Sequence, residues 1–150
     1  MQQFFLNAHN IVRWVALILG ILVTVRALLG WFGKKDWSNQ DRKLGVYYTS
    51  AMDVQLLLGL LLYFIFSPLT RLAFQDFATA MSNSGLRFFV IEHSLVMLLA
   101  VVFAHLGSVF SKKAQDSIAK HKRAALWYAL SVLLLIVGMP WFRPLFPGLG

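Results

Sequence analysis

Apolar residues fill four long stretches of this chain, roughly Ile11 to Gly33, Val46 to Phe66, Phe88 to Phe110 and Ala124 to Phe142, and polar residues collect between them. Each stretch reaches or nearly reaches the roughly 20 residues a helix needs to cross about 30 Å of hydrocarbon. Four such helices and their connections use almost all of the 150 residues. The pattern therefore predicts a single all-α domain over 1–150, an integral membrane bundle of four up-down helices. It leaves no room for a soluble catalytic domain.

The connections carry their own signals. Residues 1–10 read as a short outer-interface approach, with Phe4, Phe5 and Leu6 suited to the headgroup boundary. The first helix carries Ala16, Gly20, Thr24 and Ala27, small residues at a spacing that permits close helix approach. Trp31 and Trp37 bracket its inner end as interfacial anchors. In the polar connection that follows, Ser38 or Asn39 is placed to cap the second helix. Past Ser67-Pro68, the segment 69–81 sets Leu69, Leu72, Ala73, Phe77 and Ala80 on one side, the periodicity of a short amphipathic helix on the outer membrane surface between helices two and three. Ser82 to Gly85 breaks it. The connection at 111–123 is expected to be partly helical and continuous with the fourth helix, which Pro140, Pro144 and Pro147 end. No internal repeat is evident.

A net charge of +8 would suggest nucleic acid in a soluble protein, but its placement argues otherwise. Nine of the fourteen Lys and Arg residues are Lys34, Lys35, Arg42 and Lys43, then Lys112, Lys113, Lys120, Lys122 and Arg123. These lie in the connections after helices one and three, so the positive-inside rule puts both in the cytoplasm and both termini outside. The partner of these loops is then the anionic lipid of the bilayer rather than nucleic acid. The absence of cysteine excludes disulfides, thiolate-held iron–sulfur clusters, thiolate zinc and thioether-linked haem. The first apolar run is too long for the core of a cleavable signal and lacks a basic flank, so it is expected to stay as a signal anchor. A multi-pass protein of a bacterial inner membrane is the expected localisation.

Charge at such depth is costly and points to function. Arg26, Asp53, Glu92, His93 and His105 lie within the stretches, and His9 stands just outside the first. Because the helices alternate in direction, these residues sort by depth into an outer layer of His9, Arg13, Glu92 and His93 and an inner layer of Arg26, Asp53 and His105. Histidines at one depth on different membrane helices suit a bis-imidazole b-type haem. Helices one and three would stand diagonally across the bundle, with His9 and His93 as axial ligands and Arg13 and Arg87 for the propionates. His93 shares a face with Met97, Ala100, Ala104 and Gly107, a slim stripe that would leave space for a ring. A plainer account makes His9 an interfacial residue and pairs His93 with a backbone carbonyl, or with Arg13 through Glu92.

His93 and His105 are twelve residues apart, which leaves them about 120° apart around a helix and disfavours two stacked haems. The partner of His105 is Asp53 or His121, though His121 among Lys120, Lys122 and Arg123 reads mainly as a solvated basic loop. Two accounts of Arg26 and Asp53 remain open: an ion pair between adjacent helices, or Arg26 reaching the inner headgroups while Asp53 pairs with His105 or is protonated. Gln55 suits a helix–helix hydrogen bond. No nucleophile with its base, phosphate-cradling glycine loop or H-E-x-x-H motif is present, so no catalytic residue is assigned.

The stretches HNIVRW at 9–14, DRKLG at 41–45, VQLLLGLLLYF at 54–64, RFFVIEHSLVM at 87–97 and HKR at 121–123 resemble a group of small four-helix bacterial membrane proteins of the cytochrome b type. The resemblance spans nearly the whole chain through short motifs. It implies haem b, with His9, His93 and His105 as candidate ligands and Arg13 and Arg87 near them. Members of that group tend to have histidine where this chain has Asp53, a departure that removes a possible inner ligand opposite His105. The likeness to other b-type membrane cytochromes is one of architecture only. The function expected is a membrane electron-transfer protein or redox-complex subunit, partnered by other membrane subunits or quinone. The alternatives are a structural subunit without a cofactor, and a proton or ion path through Asp53, His105 and Arg26.

Overall fold

The computed structural model describes residues 1–143; these are all-helical, without strands, and include four helices long and apolar enough to cross a membrane. The first helix, α1, runs from Gln2 to Phe32. It starts well before the apolar stretch because residues 2–10 contain neither proline nor glycine, and nothing stops the helix from extending outward. The expected interface approach is therefore helical, and His9 lies inside α1 rather than ahead of it. After Gly33 the chain turns through Lys34, which takes a positive φ of 49°.

The next helix, α2, spans Asn39–Leu61 and begins with a reciprocal cap. The Asp41 amide donates to Ser38 Oγ at 3.3 Å, and the Ser38 amide donates to Asp41 Oδ2 at 2.7 Å. Ser38, not Asn39, is the cap. A π turn over Leu62–Phe66 extends α2 to a sharp stop at Ser67-Pro68. The expected single interfacial helix is instead two short ones, α3 (Pro68–Gln75) and α4 (Phe77–Ser82). Asp76 divides them because its carboxylate accepts from the amide and hydroxyl of Thr79, which starts α4 and holds its carboxyl below the usual carboxylate range. Only Ala73 and Ala80 of the predicted apolar side are buried, packed with Val90, while Leu72 and Phe77 stay exposed. The short α5 (Ser84–Arg87), a second π turn over Phe88–Glu92, and α6 (His93–Lys113) make the third long helical segment. The last helix, α7, covers Ser117–Gly138, so the basic connection does join it as expected. Pro140 follows its end; Pro144 and Pro147 lie outside the described residues.

The two π turns leave carbonyls without their usual partners, and nearby side chains take them up. Thr70 Oγ1 donates to the Tyr63 carbonyl at 2.6 Å, and Arg71 to the Ile65 carbonyl. Tyr63 OH donates to the Val90 carbonyl, and Ser94 Oγ to that of Phe89, each at 2.9 Å.

α1 packs on α2 and α7, and α6 packs on the same two, so α1 and α6 stand at opposite corners. The small residues of both corner helices face inward, but the space beside them is filled by tyrosines of α2 and α7. Gly20 touches the Tyr48 ring, and Gly107 the Tyr128 ring, each so closely that a Cβ there would lie under 3 Å from ring carbons. The slim stripes of α1 and α6 thus accommodate protein side chains through the middle of the bundle. Tyr48 and Tyr128 meet edge to face with centroids 5.6 Å apart. Ser131 Oγ donates to the Ala100 carbonyl at 2.6 Å and receives the Tyr48 hydroxyl at 2.7 Å. Ser131→Ala would strand the buried Tyr48 hydroxyl, a loss of about 1–2 kcal/mol. Adding Tyr48→Phe should recover much of it in thermal unfolding. A double variant no more stable than Ser131→Ala would refute the link.

Candidate functional site

Several polar groupings lie along the bundle. The outer one centres on His9 and His93, which α1 and α6 bring edge to face from their opposite corners, with ring centroids 6.4 Å apart and planes at 69°. His9 opens a helical face that continues through Arg13, Ala16, Gly20 and Ala27. His93 follows the second π turn, which resets the phase of α6 at that point. Its Nδ1 is 2.7 Å from the Gly138 carbonyl at the end of α7. That bond fixes the proton on Nδ1 and leaves the lone pair on Nε2. The plainer account of His93, a backbone carbonyl partner, is thus realised without occupying Nε2. Gly138 makes the approach possible, since a Cβ there would stand 2.3 Å from Met97 Cε and 2.9 Å from Val96 Cγ1.

Gln55 of α2 closes the other side. Its Nε2 is 3.2 Å from His9 Nε2, the interhelical hydrogen bond anticipated for this residue. Gln55 Oε1 and His9 Nδ1 are buried without a hydrogen-bond partner. Turning the amide over would let Oε1 accept from His9 Nε2–H and leave Nδ1 with its lone pair. The His9 ring lies over Gly59, where a Cβ would be 3.4 Å from Cε1. Arg13, one turn along α1, is 5% exposed.

The other outer candidates separate from this pair. Arg87 binds Glu92 at 2.8 Å, with both side chains nearly half exposed. It also donates to the Met81 carbonyl, so it holds the surface turn and Glu92 makes no bridge to Arg13. The outer grouping thus combines the 6.4 Å ring spacing, the Nδ1 bond of His93, the orphaned His9 nitrogen and the adjoining buried Arg13.

In the inner half, the two accounts of Arg26 resolve through a residue the sequence reading had not weighed. Arg26 Nε pairs with Asp41 Oδ1 at 2.5 Å, and Asp41 is buried. Asp53 instead meets His105, Oδ1 to Nε2 at 2.7 Å. The capping carboxylate of α2 therefore serves both a helix start and an interhelical ion pair. A double-mutant cycle should show coupling of about 1 kcal/mol between Arg26→Leu and Asp41→Ala, moderated because Arg26 is 45% exposed. The cycle of Arg26 with Asp53 should be additive within about 0.5 kcal/mol; coupling there would contradict the pairing.

His121 departs furthest from expectation. Far from being solvated, it is 2% exposed, and both ring nitrogens lack partners. It lies under Trp37, centroids 4.8 Å apart, and against Gly30, where a Cβ would be 2.2–2.5 Å from three ring atoms. The register of α7 explains this: His121 shares a face with Ala124, Ala125 and Tyr128, while Lys122 and Arg123 point out. Among the described residues no group of three or more His, Cys, Asp or Glu side chains is placed to hold a metal ion. Comparison of the chain with protein-family models, with curated proteins and with solved structures found no match.

Proposed function

We propose that the chain is a membrane electron-transfer protein or redox-complex subunit, resembling small b-type cytochromes, that holds haem b in its outer layer between His9 and His93. One observation carries the reading: two half-buried imidazoles from opposite corner helices meet edge to face with centroids 6.4 Å apart, one of them oriented by a carbonyl so that Nε2 keeps its lone pair. Haem held there would supply one-electron chemistry. In this reading Gln55 and the Gly138 carbonyl orient the two ligands, and Arg13 offsets the negative charge of a propionate within low dielectric. Arg87, engaged with Glu92 at the surface, is not needed, and His105 belongs to another grouping. An absorption spectrum of protein made with adequate haem supply tests it. A sharp Soret band with well-defined reduced α and β bands is expected, and a folded but colourless protein would favour the structural-subunit alternative.

The proposal includes an up-down bundle in a bacterial inner membrane, with segments 34–45 and 111–123 in the cytoplasm and the middle connection and both termini outside, since nine of the fourteen basic residues occupy those two segments. The chain has no cysteine of its own. Single cysteines at Asp36 and Gln115 should therefore resist a membrane-impermeant maleimide in intact cells, while one at Gln75 reacts. Equal labelling of all three would sink the orientation.

A further inference from the structure

The Asp53–His105 pair plays no part in the haem reading, yet it is the most unusual polar feature of the spans. Its side chains are 54% and 47% exposed, so both face outward from the bundle. Ionisable residues within membrane spans almost always face the bundle interior or a watery cavity. Along α2 and α6 the two stand ten and seven residues from Lys43 and Lys112, about 15 and 10 Å within the span. They therefore present polar atoms at the depth of the acyl chains. The seam they occupy is also the loosest, since α2 meets α6 less extensively than any other neighbouring long helices meet.

The chemistry of the pair is specific. With Nε2–H donated to Asp53 Oδ1, His105 keeps a lone pair on Nδ1, and Asp53 keeps Oδ2 for a second bond. A neutral imidazole so placed accepts a hydroxyl hydrogen bond, and a protonated one donates to a carbonyl, with the carboxylate supporting the cation. A lipid-soluble molecule that alternates between hydroxyl and carbonyl would find a complement in both states. A docked protein helix is less well matched. Interfaces between membrane helices favour small residues, whereas the exposed residues nearest the pair, Val54, Leu57, Val102 and Val109, are branched, and only Ser50 is small.

We propose that Asp53 and His105 bind a ring oxygen of a quinone or quinol that reaches the α2–α6 seam sideways from the bilayer. The site stands by itself: it is twelve residues along α6 from His93, about 18 Å, and requires no haem.

The test is equilibrium binding of a radiolabelled decyl-substituted benzoquinone, and of its quinol, to the protein in lipid nanodiscs, above partition into empty discs. Saturable binding is expected, weakened roughly tenfold by Asp53→Asn and by His105→Gln, the size of one hydrogen bond to a charged group. Both variants keep side-chain volume, and an unchanged melting temperature shows that they remain folded. His93→Ala should bind the probe as the parent does, which separates this site from the fate of the haem reading. Leu133→Ala, on the lipid face of α7, should do likewise. Partition no greater than into empty discs, or binding unaffected in both conservative variants, overturns the proposal. So does efficient disulfide cross-linking of Val102→Cys between copies in native membranes, because the seam would then be covered by protein.

Discussion

His93→Ala should abolish the haem spectrum while leaving a folded, helical protein. The imidazole comes from α6 at a level where His9 is already its fellow ligand and no third histidine stands to replace it, and its Nδ1 bond to Gly138 already sets its ring. Losing an axial ligand removes more than losing a supporting partner, which by itself costs ten- to a hundredfold in metal affinity. Occupancy should therefore fall by about a hundredfold or more, read as the Soret absorbance per protein. His9→Ala should retain weakly held, five-coordinate haem. Gln55→Leu should lower occupancy by about tenfold, because it only supports the His9 ring. His105→Ala should leave the spectrum unchanged, since that residue faces outward with Asp53. A parental spectrum from His93→Ala would remove the imidazole pair from the proposal altogether.

Gly30→Ala should be among the most damaging single changes to stability. The added Cβ would meet Cε1, Nδ1 and Nε2 of His121 at 2.2–2.5 Å, and that ring is held from the other side by Trp37. Neither neighbour is the loose end of a flexible chain, so α1 and α7 must separate. Overpacking of this kind costs about 3 kcal/mol. His121→Ala in the same protein vacates the space, and the double variant should recover at least half of the loss in thermal unfolding. A double variant as unstable as Gly30→Ala alone would show that the helices part for another reason.

Which parts of this were legible in the chain follows the range of the forces involved. The four long helices were visible because apolar composition over 20 residues is a local property. So was the end of α2 at Ser67-Pro68, since proline acts on its own turn. The start of α1 was misjudged because hydropathy marks where a helix meets lipid, not where its backbone hydrogen bonds begin. The interfacial segment was misjudged because the carboxylate of Asp76 restarts the helix in the middle of an apolar pattern. Gln55 could have been placed more firmly: Tyr48, Met52, Gln55 and Gly59 recur at helical spacing, and the first three are buried on one face.

The pairing of charges needed the tertiary structure. By sequence Arg26 had Asp53 at a similar level, yet it takes Asp41, because a long side chain reaches along its helix toward the start of α2 and finds a capping carboxylate there. Asp53 was then left to His105, on a face that no periodicity identified as outward. His121 shows the same limit. Three basic neighbours made it look solvated, but a helix turns 100° per residue, and one step separates a lysine in water from an imidazole under Trp37. Position along each helix, small-residue stripes and the identity of the ionisable residues were determined by the sequence alone, because they follow from order and spacing. Which stripe receives a tyrosine, which two imidazoles face each other and which carboxylate meets which cation depend on the rotation of each helix about its axis, and only the packing of all four against one another decided that.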